Sequence, residues 1–303
     1  MKLLITGALG HIGSYIINDL LKLKKIKKII LLDNVHSDKF NVLFGLKNKK
    51  LKYLYGDLTD INFCKKIPKT NIVIHLASIT NAEKSFEIVN KLKKNNLGCF
   101  KNVINYCKNN KAKLIHISST SIYGPQKGLV DETQKMIFPR SPYAEVKLTE
   151  EKILKKNSKV KYITLRFGTI SGFSQGMRFH TAVNKFCLNA VLGVKIPIWG
   201  RSTNLHRPYL SLKDASKTFK FIISKNFFPC DIYNILSENK TVAEILKIIK
   251  KNNFNPKIKF VKSRIINQDT YKISKLKIEN KGLKIKSKIA DDIKQTLNRL
   301  KIN

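Results

Sequence analysis

Tyr143 and Lys147 enclose Ala-Glu-Val, so on a helix their phenol and ammonium share one face, four residues apart. A free phenol titrates near about 10 and is a poor base at neutral pH. An ammonium and a cationic ring held beside it favour the phenolate, and lowering its pKa by about 3 units takes roughly 4 kcal/mol of differential stabilisation. Ser119 follows an apolar run, residues 114–118, which puts it at the carboxyl edge of a strand. Its hydroxyl can hold a substrate alcohol against the base. A Tyr-x-x-x-Lys pattern alone is weak in a chain rich in lysine, where tyrosines also simply pack. What precedes it gives it meaning.

The segment Gly7-Ala8-Leu9-Gly10-His11-Ile12-Gly13 follows the first apolar run and opens an amphipathic stretch. Glycines there allow a tight turn and let backbone N–H groups approach a pyrophosphate at a helix N-terminus. Asp33 ends the second apolar run, twenty residues beyond Gly13. Its carboxylate suits ribose hydroxyls and repels a 2′-phosphate, which selects NAD over NADP. The bland alternative is a solvated aspartate at a strand end.

These residues need strands and helices to position them. Apolar runs at 2–6, 28–33, 52–56, 72–76, 113–118 and 161–166 alternate with helical stretches at 10–23, 87–108 and 143–156. That order predicts βαβ units and a doubly wound parallel sheet covered on both faces, an α/β fold. Beyond about residue 168 the pattern loosens. A Gly/Ser-rich stretch (168–176) leads to a helix at 181–192 and a turn-rich passage at 193–208. A short strand at 232–235, a helix at 242–251, a lysine-rich segment at 252–288 and a terminal helix at 289–301 complete it. The division expected is a dinucleotide-binding domain, 1–167, and a smaller, mainly substrate-binding α/β domain, 168–303, from which some segments return to the first sheet.

The 303 residues are 43% hydrophobic, ordinary for a globular protein, and no apolar run nears the length of a membrane span. The five cysteines lack CxxC and metal-ligand spacing, which predicts reduced thiols, no metal site and a cytoplasmic setting. The net charge of +39 suggests nucleic acid, yet the lysines are spread among Ile and Asn along the whole chain and only seven residues are arginine. Compositional bias explains that better than an RNA partner, while the field still draws anionic substrates.

The chain resembles the NAD-dependent epimerase/dehydratase family, the extended short-chain dehydrogenases with a Rossmann-type fold, and especially its UDP-glucose 4-epimerase-like members. The resemblance runs through ITGALGHIG (5–13), LLDN (31–34), GDLTD (56–60), HLAS (75–78), NNLG (95–98), ISSTSIYG (117–124), SPYAEVK (141–147), LRFGTISG (165–172) and RPYLSLKDAS (207–216). It implies a bound NAD touched by Gly7, Gly10, His11, Ile12 and Gly13, and by Asp33 and Asn34. It adds Asp57 and Leu58 about the adenine, Leu76, Ala77 and Asn95 along the cleft, and Tyr143 with Lys147. It makes Ser119 the catalytic hydroxyl, with Thr120 able to share its role, Tyr143 the base and Lys147 its partner. A nucleotide-sugar substrate is implied against Ser119, Thr169, Asn184 and Arg207. A homodimer through the helices 87–108 and 143–156 is implied as well.

Two positions depart from the family pattern. Thr169 stands where many relatives have Asn, and Gln268-Asp269-Thr270-Tyr271 puts an acid where a nucleotide-holding Arg is usual. Relatives that eliminate water carry Asp-Glu where this chain has Thr120-Ser121; decarboxylases carry Glu where it has Ser121; reductive members prefer NADPH. Epimerisation through a transient 4-keto sugar, with Tyr143 as base, remains as the expectation. Other dehydratases or reductases of the family are the alternative. So is a non-catalytic dinucleotide- or RNA-binding protein, although a binder has no need of an activated phenol.

Overall fold

The computed structural model describes residues 1–157, 159–199, 203–261 and 272–301. The chain runs β1 (Lys2–Thr6), α1 (His11–Leu21), β2 (Lys28–Asp33), β3 (Leu51–Tyr55), α2 (Ile61–Lys65), β4 (Ile72–His75), α3 (Val89–Asn110), β5 (Lys113–Ser119), β6 (Leu129–Val130), α4 (Pro142–Lys155) and β7 (Tyr162–Phe167). It continues with β8 (Thr169–Ser171), α5 (Ala182–Val191), β9 (Ile196–Trp199), β10 (His206–Ser211), α6 (Leu212–Lys225), β11 (Asp231–Ile235) and β12 (Glu238–Thr241). Then come α7 (Val242–Lys251), β13 (Ile258–Val261), β14 (Lys272–Ile273), α8 (Leu276–Glu279) and α9 (Ile289–Leu300).

Seven strands form one parallel sheet in the order β11-β7-β5-β4-β1-β2-β3. The chain winds outward from β1 through β2 to β3, then crosses back to β4 and winds the other way. A doubly wound α/β sheet of this kind opens a crevice where the winding reverses, outside the carboxyl ends of β1 and β4. Strand side chains alternate between faces, so Leu3 and Ile5 pack with Ile16, Ile17 and Leu20 of α1 and with Phe219, Ile222 and Ile223 of α6. Leu4 points the opposite way, with Val73 and Leu114, against Phe100, Val103 and Cys107 of α3. Each buried Leu or Ile contributes about 1.5–3 kcal/mol, which is why near-continuous apolar strands demand helices on both sides.

Among the described residues, the rest of the chain adds three smaller sheets. β10 pairs in parallel with β8 and antiparallel with β12, β9 pairs with β13, and β6 with β14. A separate core of Val183, Phe186, Ile245, Ile249, Ile293 and Leu297 joins α5, α7 and α9.

The passage read as turn-rich contains β9 and the start of β10, and the sequence reading had no helix at α6. Its stripe was present, with Leu212, Ala215, Phe219, Ile222 and Ile223 all buried at helical spacing. Pro208 and the lysines around the stripe masked it. The segment Gln268–Tyr271 lies outside the described residues. Among the described residues no helix is long and apolar enough to cross a membrane, and no cluster of ligating side chains could hold a metal. All five cysteines are free.

Candidate active site

The glycine turn joins β1 to α1. Gly7 has φ +65°, and a Cβ there would lie 2.6 Å from the Ala77 backbone nitrogen, so glycine alone lets the ends of β1 and β4 approach. At Gly13 a Cβ would lie 2.4 Å from the Ala8 carbonyl oxygen. The turn is braced from β2: Asp33 accepts hydrogen bonds from Leu9 N–H (2.9 Å) and Val35 N–H (2.9 Å). Two of its lone-pair directions therefore serve the turn, and the remainder are available to a ligand. α1 starts at Gly10 with no side-chain cap and no acid in its first turn, which leaves its N–H groups to an anion.

Tyr143 and Lys147 project from the first turns of α4. Ser141 caps that helix by accepting from Ala144 N–H at 3.2 Å, and Pro142 follows at its first position. Ser119 ends β5. Together with Gly7, Gly10, His11, Ile12 and Gly13 these three line a crevice of about 470 Å³. Leu76, Thr120, Thr169 and Arg207 line it too.

Burial raises the Tyr143 phenol above its usual range, opposed by the Lys147 ammonium, pushed further by Glu150 and pulled back by Arg178 and the Ser119 hydroxyl. Lys147 does not face the phenol alone. Its ammonium donates to Glu150 Oε2 at 2.8 Å, which shares out its field. Glu150 Oε2 also accepts from His116 Nε2 at 3.0 Å, and all three side chains are buried. Burial would raise the Glu150 carboxyl, but Lys147 and His116 hold it below the usual range. The next residue, Glu151, takes Arg166 as a two-pronged partner at 3.0 and 2.7 Å and accepts from Ser118 Oγ at 2.5 Å. This pair clamps α4 to β5 and β7, and so sets where Tyr143 stands.

Thr120 donates to the Phe167 carbonyl at 3.3 Å, so its hydroxyl is engaged in the sheet. Ser121, unmarked from sequence as a partner, lies 2.9 Å from Ser119 Oγ. Steric alternation decided this: residues 120–123 turn as a 3-10 helix and throw Thr120 inward.

The family model described as "NAD dependent epimerase/dehydratase family" matches residues 3–235. The chain belongs to that family. Its cofactor is NAD. The trifunctional UDP-glucose 4,6-dehydratase/UDP-4-keto-6-deoxy-D-glucose 3,5-epimerase/UDP-4-keto-L-rhamnose-reductase of Arabidopsis thaliana is 24% identical over 98% of this chain and 46% of its own length. The chain thus spans about half the length of such curated relatives. The fold is similar to a Thermus thermophilus UDP-glucose 4-epimerase complexed with NAD, at TM-score 0.85 and 23% identity over 99% of both chains. It is also similar to Bacillus cereus UDP-glucuronic acid 4-epimerase complexed with UDP-glucuronic acid and NAD, at TM-score 0.88 and 22% identity over 99% of both.

For a member of the epimerase/dehydratase family, the residues present fit NAD. The uncapped helix start, the glycines on which no Cβ intrudes and Asp33 at the end of β2 lie in the order that a pyrophosphate and a ribose require. The other expected contacts sit around them at different depths. Asn34 donates to Asp57 at 3.2 Å, and Asp57 also accepts from the Thr59 N–H and hydroxyl at 2.8 Å each. Burial pushes the Asp57 carboxyl up, but these bonds hold it below its usual range. Leu58 is buried in the α3-side core, and Ala77 packs against that core at the end of β4. Asn95 donates to Asn96 at 3.0 Å; it is Asn96 that grips the loop after β4, through both the N–H (2.9 Å) and the carbonyl (3.0 Å) of Ile79. Asn184 is fully buried and donates to the Arg178 carbonyl at 3.0 Å, so it reaches the crevice only through that backbone. Arg207 donates to the His206 carbonyl at 2.8 Å from β10.

Sequence reasoning passed over Glu150, His116, Ser121 and Arg178. A usable signal existed for the last, since an arginine in a chain with seven arginines among 59 basic residues marks a place where lysine does not serve.

Proposed function

We propose that this protein is a nucleotide-sugar 4-epimerase working through a transient 4-keto sugar. The observation that carries the reading is the meeting of Ser119, Ser121, Tyr143 and Lys147 in a crevice whose only lining carboxylate, among the described residues, is the exposed Glu83. Elimination of water from a sugar needs a proton donor at the leaving hydroxyl. Here Thr120 is bonded to the sheet and Ser121 to Ser119, and neither is an acid near neutral pH. Glu150 and Glu151 are held by Lys147, His116 and Arg166. Epimerisation asks for a single group that acts twice.

Tyr143 takes the proton of the sugar alcohol as it becomes a ketone and gives it back in reverse. Ser119, with Ser121 behind it, holds the alcohol oxygen against the phenol. Bound NAD supplies a two-electron acceptor that is restored by the end of the cycle. Residues 1–167 hold the dinucleotide, and residues 168–303 present Thr169 and Arg207 to the sugar nucleotide, whose diphosphate suits a guanidinium. The likeness to two 4-epimerases supports the reading, while the Arabidopsis relative keeps dehydration as the rival.

The test is an NMR assay against UDP-, GDP- and dTDP-sugars. Interconversion at C4 is expected, with Tyr143→Phe slower by about 10²–10⁴-fold. Release of a 4-keto-6-deoxy sugar, no turnover of any sugar, or full turnover in Tyr143→Phe removes it.

A further inference from the structure

Residues 172–178, from the second half of the chain, lie directly across the glycine turn and the start of α1. They are tied down along their length. His11 Nε2 donates to the Gly172 carbonyl at 2.8 Å, so this nitrogen carries a proton, because a carbonyl only accepts. A relay then runs from Gly176 N–H to Ser14 Oγ (3.0 Å), from Ser14 to Ser174 Oγ (3.0 Å), and from Ser174 to the His11 carbonyl (2.9 Å). Lys39, in the loop after β2, donates to the Gly176 and Met177 carbonyls. The approach is so close that a Cβ on Gly176 would lie 2.3 Å from the Leu9 carbonyl oxygen. At its far end, Asn184 donates to the Arg178 carbonyl at 3.0 Å.

This anchoring delivers one side chain. Arg178 Nη2 comes within 3.4 Å of the position a Gly10 Cβ would take, and Nη1 donates to the Thr80 hydroxyl beyond β4. The guanidinium therefore spans the crevice mouth from the glycine turn to the loop after β4. Its partner there is a neutral hydroxyl, and its surroundings are desolvated enough to lower its pKa. A planar fork facing the uncapped start of α1 matches the oxygens of a phosphate diester or pyrophosphate, which takes two parallel hydrogen bonds from it.

We propose that residues 172–178 are a strap closing the cofactor crevice, and that Arg178 clasps the pyrophosphate of the bound dinucleotide against the N-terminus of α1. The strap makes the second half of the chain part of the NAD site and slows loss of the bound cofactor. This rests on the NAD assignment and not on 4-epimerisation, so it stands or falls by binding, whether or not any sugar is turned over.

The experiment is NAD content after gel filtration, with calorimetric titration of the stripped protein by NAD, by ADP-ribose and by adenosine. Arg178→Met is expected to weaken NAD and ADP-ribose by about tenfold to a hundredfold, the weight of hydrogen bonds to a charged group, and to leave adenosine unchanged. Arg178→Gln keeps a donor for Thr80 while losing the charge; it should show the same loss, so poor folding of the Met variant does not leave the question open. Lys39→Met, which loosens the strap without touching phosphate, should speed NAD release. Unchanged NAD affinity and retention in a folded Arg178 variant overturns the proposal, above all if only the KM for a nucleotide sugar rises, which would place the guanidinium on the substrate's anion. Loss of NAD affinity without loss of ADP-ribose affinity overturns it too, by moving Arg178 to the nicotinamide end.

Discussion

Glu150 is the residue that most changes how the phenol works. It sits three residues beyond Lys147, accepts on one oxygen from both that ammonium and His116, and pushes the Tyr143 phenol upward. Among the described residues, the charged groups that act most on the phenol are Lys147, Glu150 and Arg178. Replacing Glu150 by Gln removes a negative charge that raises the phenol, so the phenolate becomes easier to form. The acidic limb of the kcat/KM profile, which reports ionisation of the base in the free enzyme, should then move to lower pH. A limb that stays in place or moves upward would show that Glu150 does not tune Tyr143. Lys147→Met acts with the opposite sign and should move the limb upward.

At the scale of elements, α4 is positioned by charge as much as by apolar contact. The Arg166–Glu151 pair is buried, and Arg166 also donates to Tyr123 at 2.9 Å, which in turn donates to Asn234 on β11. One network thus links α4, β5, β7 and β11. Removing one member leaves a charge without its partner inside the protein, and Glu151→Ala should cost about 3–5 kcal/mol in urea unfolding. A loss below about 1 kcal/mol, the range of exposed pairs, would mean the network is solvated in solution. Turnover should fall along with it, because Tyr143 and Lys147 ride on the same helix.

Across the whole molecule, buried histidines set the response to acid. Burial brings His11 down to about 4 and His75 to about 3. In the unfolded chain both bind protons below about 6.5, so stability is undiminished above that pH and falls as pH drops toward 4. Asp292 works in reverse: burial raises its carboxyl to about 6, a contribution present at low pH and lost as pH rises through 6. The two histidines outweigh it, and the thermal midpoint should drop between pH 7 and 4.5. His11→Gln keeps a donor for Gly172 and should remove about 3 kcal/mol of the unfolding free energy lost between pH 7 and 4; an unchanged slope would refute the assignment. The charge of +39 acts on assembly. We propose a homodimer through α3 and α4, whose outward sides carry the exposed Lys91, Lys94, Lys101 and Lys152. Like charges resist that contact, so light scattering should find more dimer as salt screens them. A monomer at every salt concentration refutes it, and an NAD-independent, salt-sensitive shift of RNA would revive the nucleic-acid alternative.

The local parts of the site were legible without coordinates. The glycine turn, Asp33 at the end of β2 and the shared face of Tyr143 and Lys147 follow from backbone stereochemistry and helical period, which act over a few residues. Most strands of the first half followed because both-face burial writes itself as near-continuous apolar runs. Partners brought together by layer packing could not be read that way. Ser121 rather than Thr120 beside Ser119, Glu150 on the ammonium, and a strap whose first hydrogen bond joins residues 161 apart all depend on how helices settle on the sheet. Hydrogen bonds between distant segments leave no period in the chain. Composition, here dominated by lysine, dilutes whatever single-residue signal they do leave.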